Sequence, residues 1–119
     1  MNKNICVLED SEDILELIHM VLEQDYQVYG FPTVSEFMAG HSEANPDLFL
    51  LDVMLPDGNG IEVCNILKKN DASKHIPVII MTANAGIESM KQLCSADDFV
   101  SKPFDIDDLI NRIAVQIQN

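Results

Sequence analysis

Four short apolar runs in this chain end in side chains that can do chemistry. Asn4-Ile5-Cys6-Val7-Leu8 runs into Glu9-Asp10, Leu48-Phe49-Leu50-Leu51 into Asp52, Pro77-Val78-Ile79-Ile80-Met81 into Thr82, and Phe99-Val100 into Ser101-Lys102-Pro103. Carboxylates can hold a hard divalent cation, and one of them can act as a nucleophile. A hydroxyl and an ammonium both suit phosphoryl oxygens, so the set has the ingredients of phosphoryl transfer if it meets in space. On its own stretch Asp52 reads equally as a solvated residue opening the turn that follows.

The elements around these residues decide whether they meet. Leu48 to Leu51 is a strand-length apolar run, and Pro56 and Gly58 break any helical continuation, which favours a strand buried on both faces. Asn59-Gly60 then allows a tight reversal. Ile14, Leu17, Ile18, Val21 and Leu22 recur at helical spacing through Gln24, with Glu12 and Asp13 in a first turn where acids complement the macrodipole. Gln27 to Gly30 reads as a second strand, followed by a short helix carrying Val34, Phe37 and Met38 that stops near Gly40-His41. Ile61, Cys64, Ile66 and Leu67 make an amphipathic helix after Gly60, closed by Lys68-Lys69-Asn70-Asp71. Ile87, Met90, Leu93 and Cys94 suggest another short helix. Asp105 can cap a last one bearing Ile106, Leu109, Ile110, Ile113 and Ile117.

Five strands alternating with five helices predict a doubly wound α/β domain, a (βα)5 unit with a five-stranded parallel sheet. Right-handed crossovers put every carboxyl strand end on one edge, so Glu9, Asp10, Asp52, Thr82 and Lys102 should converge. Three crowded carboxylates disfavour one another's ionisation, and a divalent cation relieves that cost. Mg²⁺ fits a few acids on loop ends because it keeps several of its waters.

The composition narrows the function classes. At 119 residues, with 47% hydrophobic residues, the chain is expected to be one domain over residues 1–119. Seven Lys and Arg against twenty Asp and Glu give a net charge of -13, which repels phosphate backbones and anionic lipid, so no direct nucleic-acid or membrane partner is expected. Cys6, Cys64 and Cys94 lack C-x-x-C spacing and sit among apolar residues; they read as reduced core thiols of a cytoplasmic protein. No secretory leader pattern or membrane-spanning run is present in the sequence. His19, His41 and His75 lack metal-ligand spacing and read as surface residues, and the Met residues as core filler. Asp57-Gly58-Asn59-Gly60 lacks the alternating ligands and terminal Glu of a calcium loop.

With those motifs in place, the chain resembles the receiver domain of two-component response regulators over essentially its whole length. The resemblance rests on Val7-Leu8-Glu9-Asp10, Leu51-Asp52-Val53-Met54-Leu55-Pro56 with Gly58 and Gly60, Met81-Thr82-Ala83, and Ser101-Lys102-Pro103-Phe104, in family order. It implies a flavodoxin-like receiver architecture with Asp52 as phosphoacceptor. It also implies Mg²⁺ held by Glu9, Asp10, Asp52 and the Met54 main-chain carbonyl, and phosphoryl contacts from Thr82 and Lys102. Thr82 and Phe99 fall at the family's switch positions, where an aromatic ring turns inward as the hydroxyl moves toward the phosphoryl group. Met54 and Asn84 flank the family's path for attacking water.

The resemblance further implies a phosphoacceptor that assists its own phosphorylation and dephosphorylation rather than an enzyme. Its expected partners are a sensor histidine kinase or phosphotransfer protein and a downstream effector protein, and the family pattern allows a homodimer. The chain departs from the common pattern at Glu9, where Asp is usual, in a slightly short interval between Thr82 and Lys102, and at Ser95, where Gly often stands. Two other readings compete. A non-cycling pseudo-receiver would usually have lost an acid, the acceptor or the Lys, and none is lost. An aspartyl-phosphate hydrolase would carry a second Asp at the position of Met54. The chain closes at Asn119 just past the last apolar helix position, and reads as a stand-alone receiver or one excised from a larger regulator.

Overall fold

The computed structural model describes residues 2–83 and 87–118. Its main sheet has five parallel strands: β1 (Lys3–Leu8), β2 (Tyr26–Phe31), β3 (Leu48–Asp52), β4 (Val78–Thr82) and β5 (Asp98–Ser101), in the order β2-β1-β3-β4-β5. Helices α1 (Glu12–Leu22), α2 (Val34–Gly40), α3 (Gly60–Lys69), α4 (Ile87–Met90) and α5 (Ile106–Gln118) fill the connections. This is the (βα)5 architecture expected from the alternating runs. The strand order reverses between β1 and β3, the topological switch point where open α/β sheets place their sites.

Side chains alternate between the two faces of the sheet. Every residue of β3 and β4 is buried, because helices cover both faces of these strands. Ile5, Val7, Leu50, Ile79 and Val100 pack with Ile18 and Leu22 of α1 and Leu109 and Ile113 of α5. Cys6, Leu8, Phe49, Leu51, Ile80 and Phe99 pack on the other face with Phe37 of α2, Val63, Cys64 and Leu67 of α3, and Cys94.

Side-chain caps set the helix starts. Ser11 accepts from the Ile14 N–H, Thr33 from Glu36, and Asn59 from Glu62. Asp105 Oδ1 accepts from the Asp107 and Asp108 N–H groups at 2.9 and 3.2 Å, the capping role its position suggested. Asp57 caps from a distance. Its carboxylate accepts from the N–H groups of Val34 and Ser35 at 2.8 and 3.0 Å, which fastens the loop after β3 to the first turn of α2.

Several local expectations change. Helix α1 ends at Leu22 rather than Gln24, and α4 is a single turn, so Leu93 and Cys94 fall in the turns beyond it. His41 is half-buried rather than fully exposed: its ring stacks on Phe37 at 5.0 Å, lies edge-on to Phe49, and its Nδ1 meets the Phe37 carbonyl. Helical return brings this imidazole back over the Phe37 ring four residues earlier. The methionines are not uniformly core filler, since Met20 and Met54 are 68% and 79% exposed. Cys6, Cys64 and Cys94 are buried free thiols, as expected. No helix among the described residues is long and apolar enough to cross a membrane.

Candidate functional site

Strand register brings the chemical side chains together. Leu8 pairs with Leu51, Asp52 with Met81, and Thr82 with Ser101, so Glu9, Asp52, Thr82 and Lys102 emerge at neighbouring points of one sheet edge. They line a cavity of about 500 Å³ with Asp10, Met54 and Met90. Glu9 and Thr82 are 1% and 2% exposed, and Asp52 is 7% exposed at the cavity floor. Asp10 is exposed at the rim.

Each buried carboxylate is held by defined donors. Asp52 Oδ1 accepts from the Val53 N–H at 2.9 Å and lies 3.2 Å from Lys102 Nζ. Glu9 Oε1 accepts from Lys102 Nζ at 2.6 Å, and its Oε2 accepts from the Ser11 N–H at 3.0 Å. Burial pushes the Glu9 carboxyl above the ordinary carboxylate range and the Asp52 charge adds to this, while the bonds from Lys102 and Ser11 oppose it. Burial alone would lower the Lys102 ammonium, but its bond to Glu9 and the charges of Glu9 and Asp52 outweigh that and raise it. Lys102 is therefore a firmly protonated cation between two acids.

Glu9, Asp10 and Asp52 each bring a carboxylate oxygen within 4.8 Å of the other two. Octahedral Mg²⁺ takes oxygens at about 2.0–2.1 Å, so two of its ligands are at most about 4.2 Å apart. At most a small closing motion would let the trio share such an ion, with Asp10 at the exposed rim. The acidic cluster fits a metal-binding phosphoacceptor site.

Comparison with known proteins agrees with this geometry. The family pattern of the response regulator receiver domain matches residues 5–114. The chain belongs to the response regulator receiver domain family. It is 37% identical to the phosphate regulon transcriptional regulatory protein PhoB of Escherichia coli (strain K12) over 95% of this chain and 51% of that protein. Among solved structures, the response regulator DrrB, a Thermotoga maritima OmpR/PhoB homolog, is 33% identical with a TM-score of 0.84, over 95% of this chain and 51% of that one. A CheY-like response regulator receiver domain protein from Methanospirillum hungatei JF-1 is 26% identical with a TM-score of 0.89, over 99% and 95%. The chain spans about half the length of the curated relatives it matches. Receiver domains are phosphoacceptors in two-component signalling rather than enzymes that turn over a separate substrate.

The roles of two residues at the receiver's site were not evident from residue types. The first is Gly60. A Cβ there would run into the carbonyl oxygen of Asp52, so the glycine is needed for close approach to the acceptor's backbone rather than for the turn alone. The Gly60 N–H also bonds the Val53 carbonyl at 3.0 Å, which closes the loop on itself. The second is Asp57, whose cap on α2 anchors the same loop from its far side. A Gly eight residues after an acidic strand end was the available signal for the first; nothing local signalled the second.

The expected switch pair is divided between the site and the core. Thr82 lies at the cavity, its carbonyl accepting from the Lys102 N–H at 2.7 Å. Phe99 pairs in register with Ile80 and is 8% exposed, with its ring in the core cluster that contains Cys64 and Cys94. Asn84, expected beside the water path, lies outside the described residues.

Proposed function

We propose that this receiver accepts a phosphoryl group on Asp52 from a sensor histidine kinase or phosphotransfer protein, in a Mg²⁺-dependent reaction, and thereby switches a face read by a downstream effector protein. The observation that carries this reading is the set of three carboxylates within 4.8 Å of one another, with the Lys102 ammonium 3.2 Å from the acceptor. Asp52 Oδ1 already takes the Val53 N–H and the Lys102 ammonium, so Oδ2 is assigned as the oxygen that bonds phosphorus. As the bond from phosphorus to the donor breaks, Lys102 and the Thr82 hydroxyl take phosphoryl oxygens and counter the charge they carry. Glu9, Asp10, Asp52 and the Met54 main-chain carbonyl would hold Mg²⁺. Bound there, the ion supplies electrostatic relief of the crowded acids and orients the incoming group.

The relatives named above include a transcriptional regulatory protein about twice as long as this chain. By analogy this receiver acts in the cytoplasm as a regulatory unit over residues 1–119. Its own net charge of -13 favours a basic protein partner over direct contact with nucleic acid or an anionic membrane, and a homodimer through the switched face would form against the repulsion of two such copies. Intact-mass spectrometry after incubation with acetyl phosphate tests the reading. Wild type with Mg²⁺ should gain one phosphoryl group, and wild type with EDTA and Asp52→Asn with Mg²⁺ should gain none. Equal incorporation in the wild type and Asp52→Asn proteins would refute Asp52 as the acceptor.

A further inference from the structure

None of the three buried thiols takes part in the phosphoacceptor chemistry, yet two of them are neighbours. Cys64 lies on the inner face of α3, and Cys94 lies in the turns between α4 and β5. Both belong to the core cluster that holds Phe99. The segments that carry them are tied by a hydrogen bond one residue away on each side, from the Asn65 side chain to the Leu93 carbonyl at 3.1 Å. The Cys94 thiol sits close enough to perturb Cys64, whose pKa is pushed up to about 12, first by burial and then by Cys94. Cys6, the third thiol, is on β1 and faces the His41 carbonyl instead.

The two thiols differ in access. Cys64 is fully buried, whereas Cys94 is 8% exposed and lines a surface cavity of about 380 Å³ together with Ala96 and Phe99. We propose that Cys64 and Cys94 form a reversible disulfide when the protein meets a low-molecular-weight disulfide. The bond would pin α3 to the segment between α4 and β5 and hold Phe99 in place.

The chemistry balances as two exchanges. The Cys94 thiolate attacks one sulfur of the small disulfide, its S–S bond breaks, and one small thiolate leaves and takes up a proton. The Cys64 sulfur then attacks the Cys94 sulfur of the mixed disulfide, the second small thiol leaves with the Cys64 proton, and the protein has lost two electrons to the small disulfide. Access assigns entry to Cys94. Burial of Cys64 disfavours its thiolate, so the second step depends on the neighbouring placement of the two sulfurs rather than on ready ionisation.

The pinning follows from where the bond falls. Thr82 on β4 and Phe99 on β5 are the proposed moving parts, and Cys94 belongs to the chain that leads into β5. A covalent tie from that chain to α3 resists any rearrangement that separates them. This consequence, unlike the disulfide itself, rests on the phosphoacceptor reading above.

Oxidised glutathione is the probe. The folded wild-type protein should lose about 2 Da as two hydrogens leave, regain them with dithiothreitol, and yield one tryptic peptide pair joined through Cys64 and Cys94. Cys64→Ala should stop at a glutathione adduct on Cys94, and Cys94→Ala should acquire neither the cross-link nor that adduct. A persistent wild-type adduct, a cross-link through Cys6, or no reaction in folded protein would each overturn the disulfide. Amide spectra with Mg²⁺ and beryllofluoride then test the pin. The reduced protein should shift at residues 89–99, and the oxidised protein should lose most of that shift while keeping changes near Asp10 and Asp52. Equal responses in the two forms overturn the pin. No response in the reduced form refutes the phosphoacceptor reading and the pin together, while the mass measurement still decides the disulfide.

Discussion

Lys102 is bonded more closely to Glu9 than to Asp52, with its ammonium 2.6 Å from Glu9 Oε1 and 3.2 Å from Asp52 Oδ1. A glutamate at this position is one methylene longer than the aspartate common in the family, and here its carboxylate meets the lysine. On the proposed reading, an incoming phosphoryl group would have to draw Lys102 from a nearly fully buried acid, and a metal ion would have to share Glu9 with an ammonium already in place. Lys102 would then compete with the metal for Glu9 as well as meet the phosphoryl group.

Two substitutions separate these charges. Asp10→Ala should weaken Mg²⁺ binding by about tenfold or more, as loss of a direct carboxylate does at least what loss of an outer-shell partner does. Lys102→Ala should leave Mg²⁺ binding intact or strengthen it, because Glu9 Oε1 is released. Without Mg²⁺ the same variant should lose about 3–5 kcal/mol of stability, since Glu9 then stays buried without its cation. Calorimetric titration of Mg²⁺ and urea unfolding in EDTA measure the two effects. Unchanged affinity in Asp10→Ala would remove Asp10 from the metal site.

Gly60→Ala should destabilise the fold by about 2–3 kcal/mol, because the added methyl meets a backbone oxygen of Asp52 that cannot swing aside as a side chain can. Beryllofluoride affinity should fall with it, as the acceptor is displaced. Urea unfolding gives the first quantity and fluoride-dependent spectral titration the second. A variant as stable as wild type would show that the loop yields freely.

The fold was legible because burial left its mark on composition. The runs at Leu48–Leu51 and Val78–Met81 are apolar throughout, as strands covered on both faces must be, and the polar residues that end them mark the sheet edge. The site was legible for the same reason, since one parallel edge collects every strand end. What stayed hidden depends on distances between remote segments. Which acid Lys102 selects is a matter of reach across 93 positions of sequence. The Asp57 cap joins residues more than 20 positions apart, and the ring contacts that partly cover His41 need Phe49 from another element. Short α4 was hard to delimit because Leu93 continues the apolar spacing while being 61% exposed.

Asp57→Ala tests the cap on α2 through its pH dependence. The two backbone N–H bonds hold the Asp57 carboxyl below its ordinary range, Ser35 contributing most and Val34 next. A lowered folded pKa stabilises the protein above the unfolded value, and that contribution is lost as pH falls through the folded one. Wild type should therefore unfold at a higher temperature than Asp57→Ala at neutral pH, with the gap closing below about pH 4. A gap that persists at pH 2 would assign the effect to packing rather than to the ionised cap.

The last prediction concerns the switch. Phe99 is already inward at 8% exposure in this structure, in the position the resemblance assigns to the activated state, and its strand is paired with the one that carries Thr82. A phosphoryl group can shift such an equilibrium only through contacts that differ between states, and on the proposed reading the hydroxyl of Thr82 and the ammonium of Lys102 would supply them. The Lys102 N–H bonds the Thr82 carbonyl at 2.7 Å, so movement at one is felt at the other. If the inward ring is a built-in part of the core, Phe99→Ala should cost about 3–5 kcal/mol even without phosphorylation, the range for removing a buried aromatic ring. Thr82→Ala should leave phosphoryl incorporation at Asp52 measurable but confine beryllofluoride-induced amide shifts to the loops around Asp10, Asp52 and Lys102. In wild type those shifts should extend to residues 89–99 and to α5. A Phe99→Ala cost below about 1 kcal/mol, the ordinary effect of a surface change, would mean the ring spends its time outside the core. Shifts in Thr82→Ala as extensive as those in wild type would show that the signal leaves the site by another route.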